Sequence, residues 1–72
     1  MKKGMVKFYN ENKGYGFIFC EGDEQDYFFH ISRVLNEPIK TGDEVEFVLR
    51  PSKKRPGEQE AFDVRVLGNI PK

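Results

Sequence analysis

The sequence predicts an all-β domain, a small five-stranded antiparallel barrel, and three observations carry that expectation. Apolar residues alternate with polar ones more often than they recur at helical spacing, which is the period of a half-buried strand. Turn-forming clusters punctuate the chain at short intervals: Asn10-Glu11-Asn12-Lys13-Gly14, Glu21-Gly22-Asp23-Glu24, Gly42-Asp43 and residues 51–57. Five short strands with no long helix between them close on themselves most readily, because closure removes exposed strand edges. At 72 residues the chain is one domain. A chain of this size buries only about 60% of the surface its unfolded form exposes, which leaves no room for a second lobe around a catalytic cleft.

The first strand is read over residues 5–9, the second over 15–20 and the third over 27–31. An irregular stretch, 32–41, follows, with Pro38 barring a long helix. The fourth strand alternates most clearly: Val45, Phe47 and Leu49 face the core while Glu44 and Glu46 face water. Residues 51–57 form a solvated loop. In the fifth strand Phe62, Val64 and Val66 are expected inward and Asp63 and Arg65 outward. The domain is read as residues 1–67, with 68–72 as a short C-terminal tail.

Charge limits the partners. Twelve Lys and Arg balance twelve Asp and Glu, so the chain is not a strongly basic clamp. The charge is uneven, however: residues 1–20 carry a net +3, residues 21–46 a net −6 and residues 47–72 a net +3. A low overall charge predicts a shallow salt dependence of any nucleic-acid binding. Cys20 is the single cysteine, which excludes an internal disulfide and fits a reducing compartment. Lys7, Asn10, Glu11 and Lys13 interrupt any signal-peptide-like apolar run, and no stretch approaches a membrane span. The expected location is therefore the cytoplasm, with no membrane association.

No paired carboxylates, metal-ligand spacing or phosphate loop stand out, so no cofactor, metal or small-molecule substrate is expected. Cys20 with His30 makes a poor nucleophile and base, since no third orienting group accompanies them. On strand parity Cys20 belongs with Ile18 in the core. The chain reads as a non-enzyme.

The second and third strands break the amphipathic rule. Tyr15, Phe17 and Phe19 share one parity, and Phe28 and His30 share one parity of the next strand. Aromatic strands can simply suit a pleated, half-buried surface. Here the rings stand beside Lys7 and Lys13, with Gly14 and Gly16 read as leaving the backbone open to close approach. Rings stack on bases and lysines meet phosphates, so this company favours a binding face. Lys13-Gly14-Tyr15-Gly16-Phe17-Ile18 fits the first ribonucleoprotein motif: a base, Gly, an aromatic, Gly, Phe and an aliphatic. The second aromatic run, Tyr27-Phe28-Phe29-His30-Ile31, lies just downstream with no helix between.

That order resembles the cold-shock domain, an oligonucleotide/oligosaccharide-binding (OB) barrel of about this length. The resemblance starts at Gly4-Met5-Val6-Lys7-Phe8-Tyr9-Asn10, runs through residues 13–18, 26–32 and 42–47, and ends near 61–67. It implies a module that binds single-stranded RNA or DNA, as an RNA chaperone or a regulator of transcription or translation; the sequence leaves the oligomeric state open, with a monomer as the default. It implies base stacking at Phe8, Tyr15, Phe17, Phe28 and His30, with Lys7 and Lys13 near the backbone or base edges and Tyr9 at the rim.

Three departures trim the implied surface. Phe8 stands where the family has Trp, Ile31 stands where it commonly has Phe, and Ile39 lies near a loop position that is often aromatic. Each isoleucine is expected to offer apolar contact in place of a ring. The loop before the fourth strand also looks about two residues short, so weaker binding over about three to six bases is expected. Lys53-Lys54-Arg55 reads either as a solvated turn or as an extension of the phosphate track. The acidic block at 21–26 reads as a wet loop or as a boundary that repels phosphate. The competing reading is a protein-interaction OB barrel that no longer binds nucleic acid.

Overall fold

The computed structural model describes residues 1–36 and 38–68. Five strands form a closed barrel in the order β1-β2-β3-β5-β4: β1 Lys2–Asn10, β2 Tyr15–Phe19, β3 Tyr27–His30, β4 Glu44–Pro51 and β5 Gln59–Gly68. The expected all-β barrel is therefore found, with differences of detail. Ile31, read as the end of the third strand, instead opens a single 3-10 turn over Ile31–Arg33. The seam that closes the barrel is parallel rather than antiparallel, pairing β3 with β5 at Phe28 and Glu60. Gly68, assigned to the tail on sequence, pairs with Glu44 and completes β5; residues 69–72 lie outside the described residues.

The core follows from alternation. Val6, Ile18, Phe29, Val45, Phe47, Ala61 and Val64 are completely buried, and Cys20, Tyr27 and Ile39 nearly so. Tyr9, Ile31, Val34, Leu49 and Val66 pack against them from the rim. Burial in apolar surroundings pushes the Cys20 thiol above its ordinary pKa, which suits a packing role rather than a nucleophile.

Three register shifts interrupt the ladders, one in β1 and two in β5, where Leu67 is an extra residue between Val66 and Gly68. In β1, Val6 pairs with Ile18 but Phe8 pairs with Phe17, leaving Lys7 as the extra residue of a β-bulge. In β5, Arg65 pairs with Glu46 and Phe62 with Val48, so Asp63 and Val64 together oppose Phe47. Asp63 takes a left-handed conformation there, with φ of 53°. This bulge corrects the expected parity of the fifth strand. Ala61 and Val64 point inward, while Phe62 leaves the core and lies under the guanidinium of Arg33.

The segment before β4 is stitched to β1 beyond the end of the β1–β4 ladder. Val6 N–H donates to the Asp43 carbonyl and its own carbonyl accepts from Gly42 N–H, both at 2.8 Å. Asp43 is buried; its carboxylate accepts from Lys40 N–H at 3.0 Å and so shapes the turn. Thr41 Oγ1 accepts from Tyr9 N–H at 3.2 Å. These bonds serve backbone groups of β1 that lie beyond the end of its ladder with β4.

Gly16 has no room for a side chain. A Cβ there would collide with the Phe8 carbonyl oxygen and stand 2.8 Å from the Phe29 ring. Gly14 takes φ of 74° at the turn, and a Cβ would stand 3.1 Å from Ile31 Cγ2. Gly16, being buried, thus serves packing rather than an opening for a ligand, and Gly14 serves the turn. Gly16→Ala is expected to destabilise the fold by roughly 1–3 kcal/mol through overpacking. Denaturant unfolding followed by tyrosine fluorescence measures the loss, and a variant as stable as the parent would show that the strands can separate without cost.

Candidate nucleic-acid interface

The β1 bulge decides which rings reach the surface. Regular alternation after buried Val6 would send Lys7 outward and Phe8 inward. With the extra residue, Lys7 and Phe8 both face outward, Phe8 remaining 45% exposed. Tyr9 then turns inward and stacks on Phe29, with ring centres 6.0 Å apart and planes 15° from parallel. Tyr9 is therefore a core-packing residue more than a rim residue of the patch.

On β2, burial of Gly16 and Ile18 leaves Tyr15, Phe17 and Phe19 on the outer face; on β3, burial of Tyr27 and Phe29 does the same for Phe28 and His30. The register sets Phe17 opposite Phe28 and Tyr15 opposite His30. Four rings form one connected cluster. Tyr15 is 6.5 Å from Phe8, 6.2 Å from Phe17 and 5.6 Å from Phe28, and Phe17 is 5.8 Å from Phe28. Three of the four contacts are edge-to-face, the favoured arrangement for aromatic quadrupoles, and such contacts hold rings in place without hiding every face.

His30 is exposed and anchored through one nitrogen. Its Nδ1 accepts from Ser32 N–H at 3.1 Å and lies 2.9 Å from Ser32 Oγ, which leaves Nε2 facing outward beside Gly14. Lys13 sits in the β1–β2 turn, its N–H donating to Asn10 Oδ1 at 3.1 Å. Its ammonium has no carboxylate in ion-pair range among the described residues. Lys7, by contrast, is already engaged, with Nζ 3.0 Å from Asp26 Oδ2. The structure brings Phe8, Tyr15, Phe17, Phe28 and His30 onto one face, with Lys13 at its edge and Lys7 held by an acid.

The acidic loop is built into the fold rather than merely wet. Asp23 accepts from the Tyr27 hydroxyl at 2.8 Å and pairs with Lys2 at 3.1 Å, clamping the β2–β3 loop onto the start of β1. The Tyr27 hydroxyl, then Lys2, hold the Asp23 carboxyl below its ordinary pKa. Asp23 in turn raises both Tyr27 and Lys2.

Of the residues expected to replace family rings, Ile39 is 5% exposed and belongs to the core, so it offers nothing to a base. Ile31 is half-buried against Gly14. Sequence parity missed Phe62, which the Asp63 bulge turns outward, with the guanidinium carbons of Arg33 and Arg50 4.4 and 5.9 Å from its ring centre. Adjacent Ala61, small and apolar, was the available sign that the inward position lay one residue earlier. Among the described residues, no group of three His, Cys, Asp or Glu side chains is placed to hold a metal. No helix among them is long and apolar enough to cross a membrane.

A closed five-stranded barrel with rings on neighbouring strands β2 and β3 defines the class of OB-type nucleic-acid-binding domains. Residues 2–67 match the family model of the 'cold-shock' DNA-binding domain, and the chain belongs to that family. The chain is 37% identical over 65 residues to the cold shock-like protein CspC of Buchnera aphidicola, covering 86% of this chain and 94% of that protein. It is 41% identical to the cold shock-like protein CspA of Vibrio cholerae over 74% of this chain and 80% of that one. Identity to the cold shock-like protein CspC of Escherichia coli is 40%, over 75% of this chain and 83% of that one. A solved structure described as drosophila Unr CSD456 superposes with a TM-score of 0.74 at 29% identity, covering 92% of this chain. This chain spans 26% of that larger one.

The lowered carboxyl of Asp23 fixes a pH dependence. Its contribution to stability is present above the unfolded-state pKa of about 3.9 and is lost as pH falls through the lower folded-state value. Asp23→Asn is therefore expected to melt at a lower temperature than the parent near neutral pH, with the gap closing as pH falls through the folded-state value. Thermal melts followed by circular dichroism across that range measure it; a constant gap at all pH values would separate the residue's role from its charge.

Proposed function

We propose that this domain binds single-stranded RNA or DNA by stacking successive bases on Phe8, Tyr15, Phe17, Phe28 and His30, with Lys13, and Lys7 once freed, meeting phosphates. The observation that carries this reading is the connected cluster of Tyr15, Phe8, Phe17 and Phe28 on the outer face of a closed barrel. Large apolar rings left on the surface of so small a core are costly unless something covers them. The bulge that exposes Phe8 is a built feature of the strand.

Binding alone does the work in this reading, and no bond is made or broken. Unpaired bases captured on a preformed surface are withdrawn from pairing, so the melting equilibrium of a duplex or hairpin shifts by mass action. That is the action of an RNA chaperone, and it gives access to transcripts for transcriptional or translational control. The domain acts as a monomer in the cytoplasm, where its lone buried thiol stays reduced.

The Lys7–Asp26 pair supports a second reading, a protein-interaction barrel, since a lysine satisfied internally attracts phosphate less strongly. An exposed ion pair is worth at most about 1 kcal/mol, however, so a phosphodiester can displace it. Asp26→Asn is accordingly expected to tighten oligonucleotide binding by up to about fivefold, the equivalent of that pair energy. Fluorescence anisotropy at low salt reads the change, and weaker binding would give Asp26 a direct ligand contact instead.

Phe17→Ala and Phe28→Ala separate the two readings. Each is expected to weaken binding of a labelled single-stranded hexamer by about 5- to 150-fold, corresponding to roughly 1–3 kcal/mol per stacked base. Melting curves of the same samples keep loss of fold apart from loss of contact. Unchanged affinity, or no saturable binding by the parent at high micromolar protein, rejects the nucleic-acid reading.

A further inference from the structure

Beside the aromatic face lies a groove of about 670 Å³ that borders it at Phe28 and His30. Its far wall holds Arg33, Arg50, Lys53, Lys54 and Phe62. We propose that this groove is a phosphate track for the same strand that stacks on Phe28, seating the phosphodiester backbone where the chain leaves the rings. The proposal rests on the single-strand reading above and adds a second, electrostatic half to that site.

The charge balance makes the case. Among the described residues the other ion pairs take up Lys2, Lys7, Arg55 and Arg65, each with its own carboxylate. Arg33, Arg50, Lys53 and Lys54 have none within reach among those residues, although acids and bases are equal in number over the chain. The one carboxylate lining the groove, Glu60, is occupied: it accepts from the Ser52 hydroxyl at 2.6 Å, and Ser52 Oγ accepts from Arg55 N–H at 3.1 Å. Four cations therefore face one engaged acid on a protein of zero net charge.

Phe62 gives the groove its geometry. A bulge with a left-handed aspartate turns this ring out of the core, and its visible partners are the guanidiniums of Arg33 and Arg50. A guanidinium lying against a ring uses its face, leaving its N–H edges for phosphate oxygens. The ring thereby limits the freedom that arginine must lose when it binds an oxyanion. Phe28, paired with Glu60 across the β3–β5 seam, belongs to both surfaces, so a strand stacked on it passes directly into the groove.

The test separates backbone from bases. The parent protein and the double variant Lys53→Gln/Lys54→Gln, whose changes lie on an exposed loop, are titrated with hexathymidylate and with the same hexamer extended by abasic phosphodiesters at either end. At low salt the extension at one end is expected to tighten the parent by about tenfold, and the double variant loses that gain while binding the plain hexamer as the parent does. The slope of log affinity against log salt for the extended ligand should fall by about 1.4, or 0.7 per lost cation. Arg50→Gln should show the same selective loss.

No gain from extension at either end, or a gain that survives in both variants, overturns the proposal. Tight binding of inorganic tripolyphosphate without any oligonucleotide would assign the groove to a free anion and overturn it as well. Failure of the parent to bind plain hexathymidylate, with Phe17→Ala indistinguishable from it, overturns the single-strand reading and this proposal together.

Discussion

A strand side chain has two faces to choose from, and for Phe8 and Phe62 an extra residue in the strand decides that choice. Without the bulge at Lys7, Phe8 would point into a core already filled by Phe29 and Tyr9 would point to water. Without the bulge at Asp63, Phe62 would compete with Phe47 for the same interior. Each of these insertions bends its strand, and each moves one phenylalanine out of the core. Closure and display of rings are thus one geometric solution, and a change that straightened either strand would disturb both.

Much of this was legible in the sequence because period-two patterning reports directly on which face is buried. The alternation of Val45 and Phe47 and the doubly apolar β2 and β3 translate into the observed sheet with little change. Failures came where a residue is inserted. A bulge shifts parity by one and leaves no strong compositional mark, so alternation alone puts Phe62 inside when it lies against Arg33 outside the core. Gly16 was read for its bareness toward solvent when its missing Cβ matters toward Phe29. Ile39 is expected near a base only by resemblance, and its side chain packs into the core instead.

Net charge was a poor guide for a related reason: it sums over the surface, whereas a ligand meets one side of it. The acids of residues 21–26 are partly consumed in fastening the β2–β3 loop, through Asp23 to Lys2 and Tyr27 and through Asp26 to Lys7. Arg33 comes from the acidic middle of the chain and Arg50 from its basic third block, yet they meet over one ring. Folding has sorted a neutral composition into a surface with a basic side.

The parallel seam between β3 and β5 pairs at a single position, Phe28 with Glu60, whereas β4 and β5 pair along most of their length. Further along β5, a Val34–Val64 bridge, a bond from Leu35 N–H to the Val64 carbonyl at 2.7 Å and the Asn36 side chain on both backbone groups of Val66 hold the seam. Its β3 end is therefore the natural line along which the barrel breathes. Amide hydrogens of the first residues of β5 should accordingly exchange with solvent sooner than those shared by β4 and the later half of β5. Rings and cations lie on either side of this line, so any polymer spanning both would act as a clasp across the barrel's weakest stave. Occupancy would then be visible as slowed exchange at backbone positions the polymer never touches.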